Sequence, residues 1–257
     1  MACESPSHEN RMECALRAGV LKSLLECTKD LWSSANFVFD ANGLRVQAMD
    51  SSHISLASLA LTPAAFSSYQ CSEQVTLGIQ FDALSTVLKS CGTDDSIRLE
   101  HALTSDHLTI LRGEDRQWEL KLLDSDQEDT TIPEQSYDIS VSASAPELQR
   151  CLRDLKELGA DTISVSVCER AISLSVDGQM GRGTASIKDG VDIEGEMDGK
   201  CKYSLKYLSA FTKGSSSLCP TVRLRMGKDT PLCVTYDIEG HGNLEFYLAP
   251  RIEDEDQ

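Results

Sequence analysis

An amphipathic pattern that returns four times constrains the fold of this chain more than any other feature. The pattern predicts four helices, because apolar residues recur three, four and seven positions apart in each of four segments. Corresponding leucines of these segments lie 63, 64 and 60 residues apart, at Leu21, Leu84, Leu148 and Leu208. The segments cover residues 20–32, 82–91, 146–158 and 204–213. A helix with one apolar face must cover another layer, so each helix is expected to pack on a sheet.

Two strands are predicted after each helix. The first of each pair is a β-branched or alternating run, at 37–39, 97–99, 163–167 and 222–224. A turn then leads to the second strand; the first turn is Asn42-Gly43, whose residues tolerate positive φ. The other turns are at 104–106, 169–170 and 227–229. Two such units complete one domain, so four units predict an α+β fold of two similar domains.

An acidic segment without periodicity, at 124–129, separates the two halves and is followed by Ile132-Pro133. Such a segment is typical of a solvated linker. The predicted organisation is a disordered extension (1–11), an N-terminal domain (12–123), a linker (124–136), a C-terminal domain (137–250) and an acidic tail (251–257). The N-terminus lacks the apolar stretch of a signal peptide, and no apolar run reaches the roughly 20 residues of a membrane helix. The chain is therefore expected to stay inside the cell and to have no membrane partner.

Three motifs, in this order along the chain, resemble the proliferating cell nuclear antigen family. They are MDSSH at 49–53, IPEQ at 132–135 and LAPRIED at 248–254. The similarity extends from about Met12 to the C-terminus. It implies the DNA clamp fold, in which a homotrimer with pseudo-sixfold symmetry lines a central hole with its helices. The implied function is that of a DNA sliding clamp, a processivity factor for replicative DNA polymerases that encircles duplex DNA.

The resemblance also implies a set of partners. These are the replicative DNA polymerase, the clamp loader (replication factor C), flap endonuclease and DNA ligase, all bound through short peptides. The implied location of the protein is the nucleus, and the implied processes are DNA replication and repair, including mismatch repair and translesion synthesis. No catalytic residue, metal or cofactor is implied.

Seven basic residues match positions that face DNA in the family: Lys22, Lys29, Lys89, Arg150, Arg153, Lys206 and Lys213. The whole chain carries a formal net charge of −17, which by itself argues against a nucleic-acid partner. The predicted helices nevertheless carry eight basic and six acidic residues, so their charge differs in sign from that of the rest. Ser23 and Thr86 stand where the family often has lysine, while Lys156 adds a charge.

Two further surfaces follow from the resemblance. The trimer interface is expected to pair the edge strand around Trp118, where the family usually has tyrosine, with the strand carrying Thr184, Ser186 and Ile187. The peptide pocket is expected to comprise Met49, His53, Ile54, Ile132, Pro133, Pro231, Tyr247, Ala249 and Pro250. Thr130 and Thr131 replace an apolar-glycine pair at its lip, and Glu169 replaces the family's ubiquitin-acceptor lysine.

Other chemistry finds little support in the residues. The ten cysteines are scattered without a CxxC pair, so we expect reduced thiols that pack as small apolar groups, with no zinc site. The five histidines lack ligand spacing. The glycine-rich segment at 178–183 lacks the lysine and helix of a phosphate-binding loop. Asp50, Ser52 and His53 are too close along an extended segment to converge as a catalytic triad.

Three rival interpretations stay open at this point. A subunit of a heterotrimeric checkpoint clamp would share the fold but resembles this sequence far less at the linker and C-terminal motifs. A small hydrolase would use Ser52 and His53. A nonspecific acidic scaffold would not stimulate polymerase processivity.

Overall fold

The four predicted helices are all present. The computed structural model describes residues 11–124, 135–168, 170–197, 199–213, 219–228, 230–238 and 240–251. Within them, the helices are α1 (Ala18–Thr28), α2 (Phe81–Leu88), α3 (Ala145–Lys156) and α4 (Leu205–Phe211). Most of the predicted extension, linker and C-terminal tail, at 1–10, 125–134 and 252–257, lies outside the described residues.

Each helix follows one strand and precedes three, which makes four repeats of one unit. The first unit has β1 (Arg11–Arg17), β2 (Ser34–Asp40), β3 (Gly43–Met49) and β4 (Ser55–Leu61); a 3-10 turn (Pro63–Ala65) and the short β5 (Ser68–Cys71) follow it. The second has β6 (Val75–Gln80), β7 (Ser96–Ala102), β8 (His107–Arg112) and β9 (Arg116–Lys121). The third has β10 (Ile139–Ser144), β11 (Thr162–Cys168), β12 (Ala171–Gly178) and β13 (Gly181–Ile187), followed by the short β14 (Asp192–Gly195). The fourth has β15 (Cys201–Ser204), β16 (Thr221–Met226), β17 (Leu232–Asp237) and β18 (Gly242–Leu248).

The helix ends differ from the predicted ones. Helix α1 ends at Thr28 and not at Trp32. A turn follows, in which the amides of Leu31 and Trp32 both donate to the Thr28 carbonyl, at 2.8 and 3.0 Å. Trp32 is still buried. Its apolar side chain therefore indicated burial correctly, but not helical conformation.

A continuous antiparallel sheet joins the two halves of the chain. Its nine strands run in the order β14-β10-β16-β17-β18-β4-β3-β2-β6, and the halves meet where β18 pairs with β4, from Gly242–Leu61 to Leu248–Ser55. Two smaller sheets have the orders β5-β1-β7-β8-β9 and β13-β12-β11-β15. Within each half the same strands pair: β1 with β7 and β2 with β6, then β10 with β16 and β11 with β15.

The helices form one row, in which α2 contacts α1, α1 contacts α4, and α4 contacts α3. The four repeating leucines are almost fully buried on the sheet side of this row, as the spacing predicted. In the middle of the row Phe211 of α4 stacks on Phe246 of β18, with ring centroids 4.4 Å apart. Such a pair adds about 0.5–1.5 kcal/mol to the burial of its area. The row is thus fixed to the shared sheet where the halves meet.

The turn before β18 yields a test of this junction. Gly242 has φ +148, and a Cβ there would lie 2.0 Å from the Ala60 carbonyl oxygen on β4. Gly242→Ala should lower the free energy of unfolding by more than about 3 kcal/mol, because backbone strain adds to a clash with main chain. Gly240→Ala is the matched control in the same turn: its φ is +74 and no atom lies within 4 Å of the new Cβ. Denaturant unfolding that gives equal losses for both variants would contradict the packing described for this junction.

Candidate functional site

The seven basic residues singled out above lie on or next to the row of helices. Lys29, Lys89 and Lys213 follow the ends of α1, α2 and α4, and the other four lie within helices. Six are exposed and Lys22 is half-buried. Because the opposite helix faces pack on the sheets, these side chains share the outer surface of one layer.

Lys22 has a structural partner. Its Nζ donates to the carbonyl of Cys91, 2.5 Å away, just beyond the C-terminal end of α2. A lysine is favoured there because the last carbonyls of a helix carry partial negative charge. Lys22 therefore also braces α1 against α2.

The two departures from the family's lysine pattern differ in position. Ser23 is only 3% exposed and lies on the core side of α1, so it is not part of the exposed surface. Thr86 is exposed and its hydroxyl donates to the Asp82 carbonyl, at 2.8 Å.

Acidic groups partly neutralise this surface. Asp30, after α1, forms an ion pair with Lys213 across the α1–α4 contact, where the Cys27 thiol also donates to the Lys213 carbonyl. The hydrogen bond from Lys213 lowers the pKa of Asp30 most, against a rise from partial burial, and the nearby charges of Lys29 and Lys156 lower it further. On α3, Arg150 pairs with Glu147 at 2.6 Å, yet its side chain stays 62% exposed. The basic layer is therefore weakened by its own acids but not cancelled.

The strands expected at the trimer interface are edge strands. Strand β9 ends the five-stranded sheet and β13 ends the four-stranded sheet, and each pairs on one side only within the described chain. Trp118 is half-buried against the core, and Thr184 and Ser186 are exposed. The side chain of Ile187 is 2% exposed and belongs to the core. At this position only the main chain faces the edge.

The residues expected to form the peptide pocket lie around one end of β4. Met49 pairs with Leu56, and Leu56 pairs with Tyr247, so these three share a sheet face. This face is opposite to the helices, because the neighbouring Phe246 stacks on α4. The amide of Ala249 donates to the Ile54 carbonyl, at 2.9 Å, which brings the C-terminal segment beside the exposed Ile54.

The remaining expected pocket residues lie either near this face or outside the described residues. Pro231 and Pro250 are half-buried and flank the paired ends of β17 and β18, and His53 is exposed in the β3–β4 loop. Ile132 and Pro133 lie outside the described residues, as do Thr130, Thr131 and Glu169.

Two features of this face were missed by the sequence analysis. Leu56, 7% exposed, lies between Met49 and Tyr247, and period-two alternation from the expected pocket residue Ile54 would have found it. The other is an ion pair in which Arg225 donates to Glu245 at 2.9 Å, while the Tyr247 hydroxyl donates to the same carboxylate at 2.7 Å. Burial and this hydrogen bond raise the pKa of Tyr247, so its hydroxyl stays a neutral donor. No sequence signal links these three strand residues.

The arrangement at 50–53 differs from a catalytic relay. The Asp50 carboxylate accepts from backbone amides of Ser52, Ile54 and Ser55, whereas His53 Nδ1 lies 2.9 Å from Met49 Sδ. The side chains of the aspartate and the histidine thus have different partners.

The described part of the chain offers little support for metal, disulfide or membrane chemistry. It contains no group of three His, Cys, Asp or Glu side chains that could hold a metal ion. Its nine cysteines are free thiols, five of them buried, and burial raises the pKa of Cys14 to about 12. Among the helices found, none is long and apolar enough to span a bilayer.

Comparison with known proteins agrees with this geometry. Residues 9–130 match the family model for the proliferating cell nuclear antigen N-terminal domain, and residues 131–251 match the model for its C-terminal domain. A crystal structure of proliferating cellular nuclear antigen from Entamoeba histolytica is 30% identical and superimposes with a TM-score of 0.87. That match covers 94% of this chain and 99% of the other. The chain therefore belongs to the proliferating cell nuclear antigen family of DNA sliding clamps.

Proposed function

We propose that three copies of this chain close into a ring around duplex DNA by pairing β9 of one copy with β13 of the next. The observation that carries this proposal is the composition of the sheets. In the shared sheet, the five strands ending at β18 join the four strands ending at β4. The five strands ending at β9 and the four ending at β13 would form the same nine-stranded sheet between copies.

The repeat explains why the two junctions correspond. Strands β18 and β4 are the last long strands of the fourth and first units, and β9 and β13 hold the same place in the second and third. Each copy thus contains one complete junction, between β18 and β4. Its two edge strands, β9 and β13, can each form half of a further junction with a neighbouring copy. A closed ring satisfies both edges, which removes the liability of unpaired strands.

We propose that the row of helices faces DNA in this ring. The residues that would contact phosphates are Lys22, Lys29, Lys89, Arg150, Arg153, Lys206 and Lys213. Long basic side chains that touch only phosphates cannot read sequence, because base identity is displayed in the grooves. Binding would be sequence-independent and strongly reduced by salt, while enclosure retains the ring.

The face around Met49, Leu56 and Tyr247 is proposed to bind the partners' short peptides. An adaptable methionine beside rigid proline walls suits apolar and aromatic anchors on one helical turn. The partners proposed are the replicative polymerase, clamp loader, flap endonuclease and DNA ligase, in the nucleus. We also retain the division into domains at 12–123 and 137–250, supported by family models that meet at residue 130. Members of this family act by binding and not by catalysis.

The checkpoint-clamp alternative is not favoured, because both halves match models of proliferating cell nuclear antigen itself. A homotrimer formed by the purified chain alone separates the two, since a checkpoint subunit requires different partners to close its ring.

Trp118 tests the proposed interface. Trp118→Ala should shift the purified protein from trimer toward monomer and weaken association by at least about 30-fold, since buried aromatic anchors commonly contribute 2 kcal/mol or more. Light scattering coupled to gel filtration, over a dilution series, gives the mass. The control is Leu103→Ala, which truncates an exposed side chain in the β7–β8 turn and should leave the trimer intact. A trimer that is equally stable in both variants would exclude β9 as the contact.

Asp30 tests the proposed DNA-facing layer. Asp30→Asn removes the carboxylate that pairs with Lys213, so affinity for a labelled duplex should rise several-fold at low salt. The slope of log K against log salt should become steeper by up to about the amount that one additional phosphate contact contributes. Fluorescence anisotropy across a salt series measures both quantities. Asp106→Asn neutralises an exposed acid in the β7–β8 turn and should change neither. Equal effects of the two substitutions would mean that net charge alone governs binding.

A further inference from the structure

The loop between β3 and β4 is held by one buried carboxylate. Asp50 is 5% exposed, and its Oδ1 accepts from the amides of Ile54 and Ser55, at 2.8 and 2.6 Å. Its Oδ2 accepts from the amide of Ser52, at 3.2 Å. These bonds lie on both sides of His53, which has φ 55, the left-handed region that residues other than glycine seldom adopt. The carboxylate therefore fixes a loop conformation that its sequence does not favour.

The same carboxylate is reached from the row of helices. The hydroxyl of Tyr207, on α4, donates to Asp50 Oδ2 at 2.8 Å, across 157 residues of sequence. Burial tends to raise the pKa of Asp50, but the hydrogen bonds from Ser55, Tyr207, Ser52 and Ile54 together lower it. The carboxylate is therefore ionised at neutral pH and accepts from all of its donors.

Ile54 makes the link to the proposed pocket. Its amide donates to Asp50, and its carbonyl accepts from Ala249 at 2.9 Å. The backbone of Ile54 thus connects the loop to the C-terminal segment, while its side chain is 40% exposed. A loop that moves would displace two of the proposed pocket walls together.

We infer that Tyr207 is a positioning residue for the partner pocket, acting through Asp50 on the loop that carries His53 and Ile54. This inference rests on the proposed function, because it assigns a role in peptide binding to a residue of the DNA-facing row. The ring of Tyr207 packs near Phe211, and the Nζ of Lys206 lies 5.6 Å from the ring centroid, so its neighbours belong to the helix row. Without the Tyr207 hydroxyl the loop would sample more conformations in the free protein. Peptide binding would then have to order the loop, and the entropy lost in doing so would reduce the affinity.

The test is Tyr207→Phe in the full chain, with a labelled synthetic peptide carrying one aliphatic and two aromatic anchors on a helical turn. We expect peptide affinity about tenfold weaker, since a hydrogen bond to a charged group is lost. Methyl NMR of the peptide-free protein should show a shifted or doubled Ile54 resonance, which general destabilisation would not cause. In an Asp50→Asn background, Tyr207→Phe should have little additional effect if it acts through that carboxylate.

Tyr69→Phe is the matched control. The Tyr69 hydroxyl lies 2.7 Å from the carbonyl oxygens of both Asp40 and Gly43 and shares its one proton between them, at the opposite end of the β2–β3 hairpin. This variant should lose stability but keep its peptide affinity and its Ile54 resonance.

Three results would overturn the inference. Wild-type affinity in Tyr207→Phe would show that the hydroxyl is not needed, and the pocket itself would stand. Equal losses of affinity in Tyr207→Phe and Tyr69→Phe would indicate general destabilisation. Failure of the unmodified protein to bind the peptide would overturn the proposed pocket as well, and this result is distinguished from the others by the wild-type measurement alone.

Discussion

The pairing of β18 with β4 determines how the rest of the molecule is arranged. It joins strands from the two halves of the chain into one antiparallel sheet, and the Phe211–Phe246 stack fixes α4 to the same place. Because α4 also contacts α1, four helices from two halves form one row and not two separate pairs. The basic layer exists as a continuous surface only through this pairing, and the face proposed to bind peptides lies on the other side of the same strands.

The charge of the chain is consistent with this division into two sides. An overall charge of −17 would repel a nucleic acid from most of the surface, which agrees with the proposal that the helix row is the side facing phosphates. Even there, Asp30 and Glu147 hold Lys213 and Arg150 in ion pairs. A weak, screened attraction suits a ring that must move along DNA, since retention comes from closure and does not require tight contacts.

The sequence predicted the units better than their assembly. The four leucines at near-regular spacing located every helix, and Asn42-Gly43 located the first hairpin, where Gly43 has φ +122. The end of α1 was wrong by four residues, because Trp32 is apolar and buried but lies beyond the last helical residue. The pairing of β18 with β4 could not be predicted, since periodicity shows which face of a strand is buried but not which distant strand lies beside it.

The site was predictable to a similar degree. Of the expected pocket residues, Met49 and Tyr247 share a sheet face with Leu56, which was missed, and Ile54 is exposed just before β4. In the expected interface, the side chain of Ile187 points into the core. That these residues bind partners stays a prediction. The bond from Tyr207 to Asp50 joins residues 157 apart, and neither residue has a local pattern that indicates a partner. Contacts of this kind depend on tertiary structure and become visible only with the fold.

Retention of the loaded protein on closed and opened DNA decides whether the chain works by enclosure. The protein is loaded on a circular duplex with a clamp loader, washed in high salt, and measured again after a single cut linearises the circle. Enclosure predicts that the protein survives the wash on intact circles and is lost after the cut, because salt removes phosphate contacts but does not open a ring. Equal loss from intact and cut DNA would contradict the account.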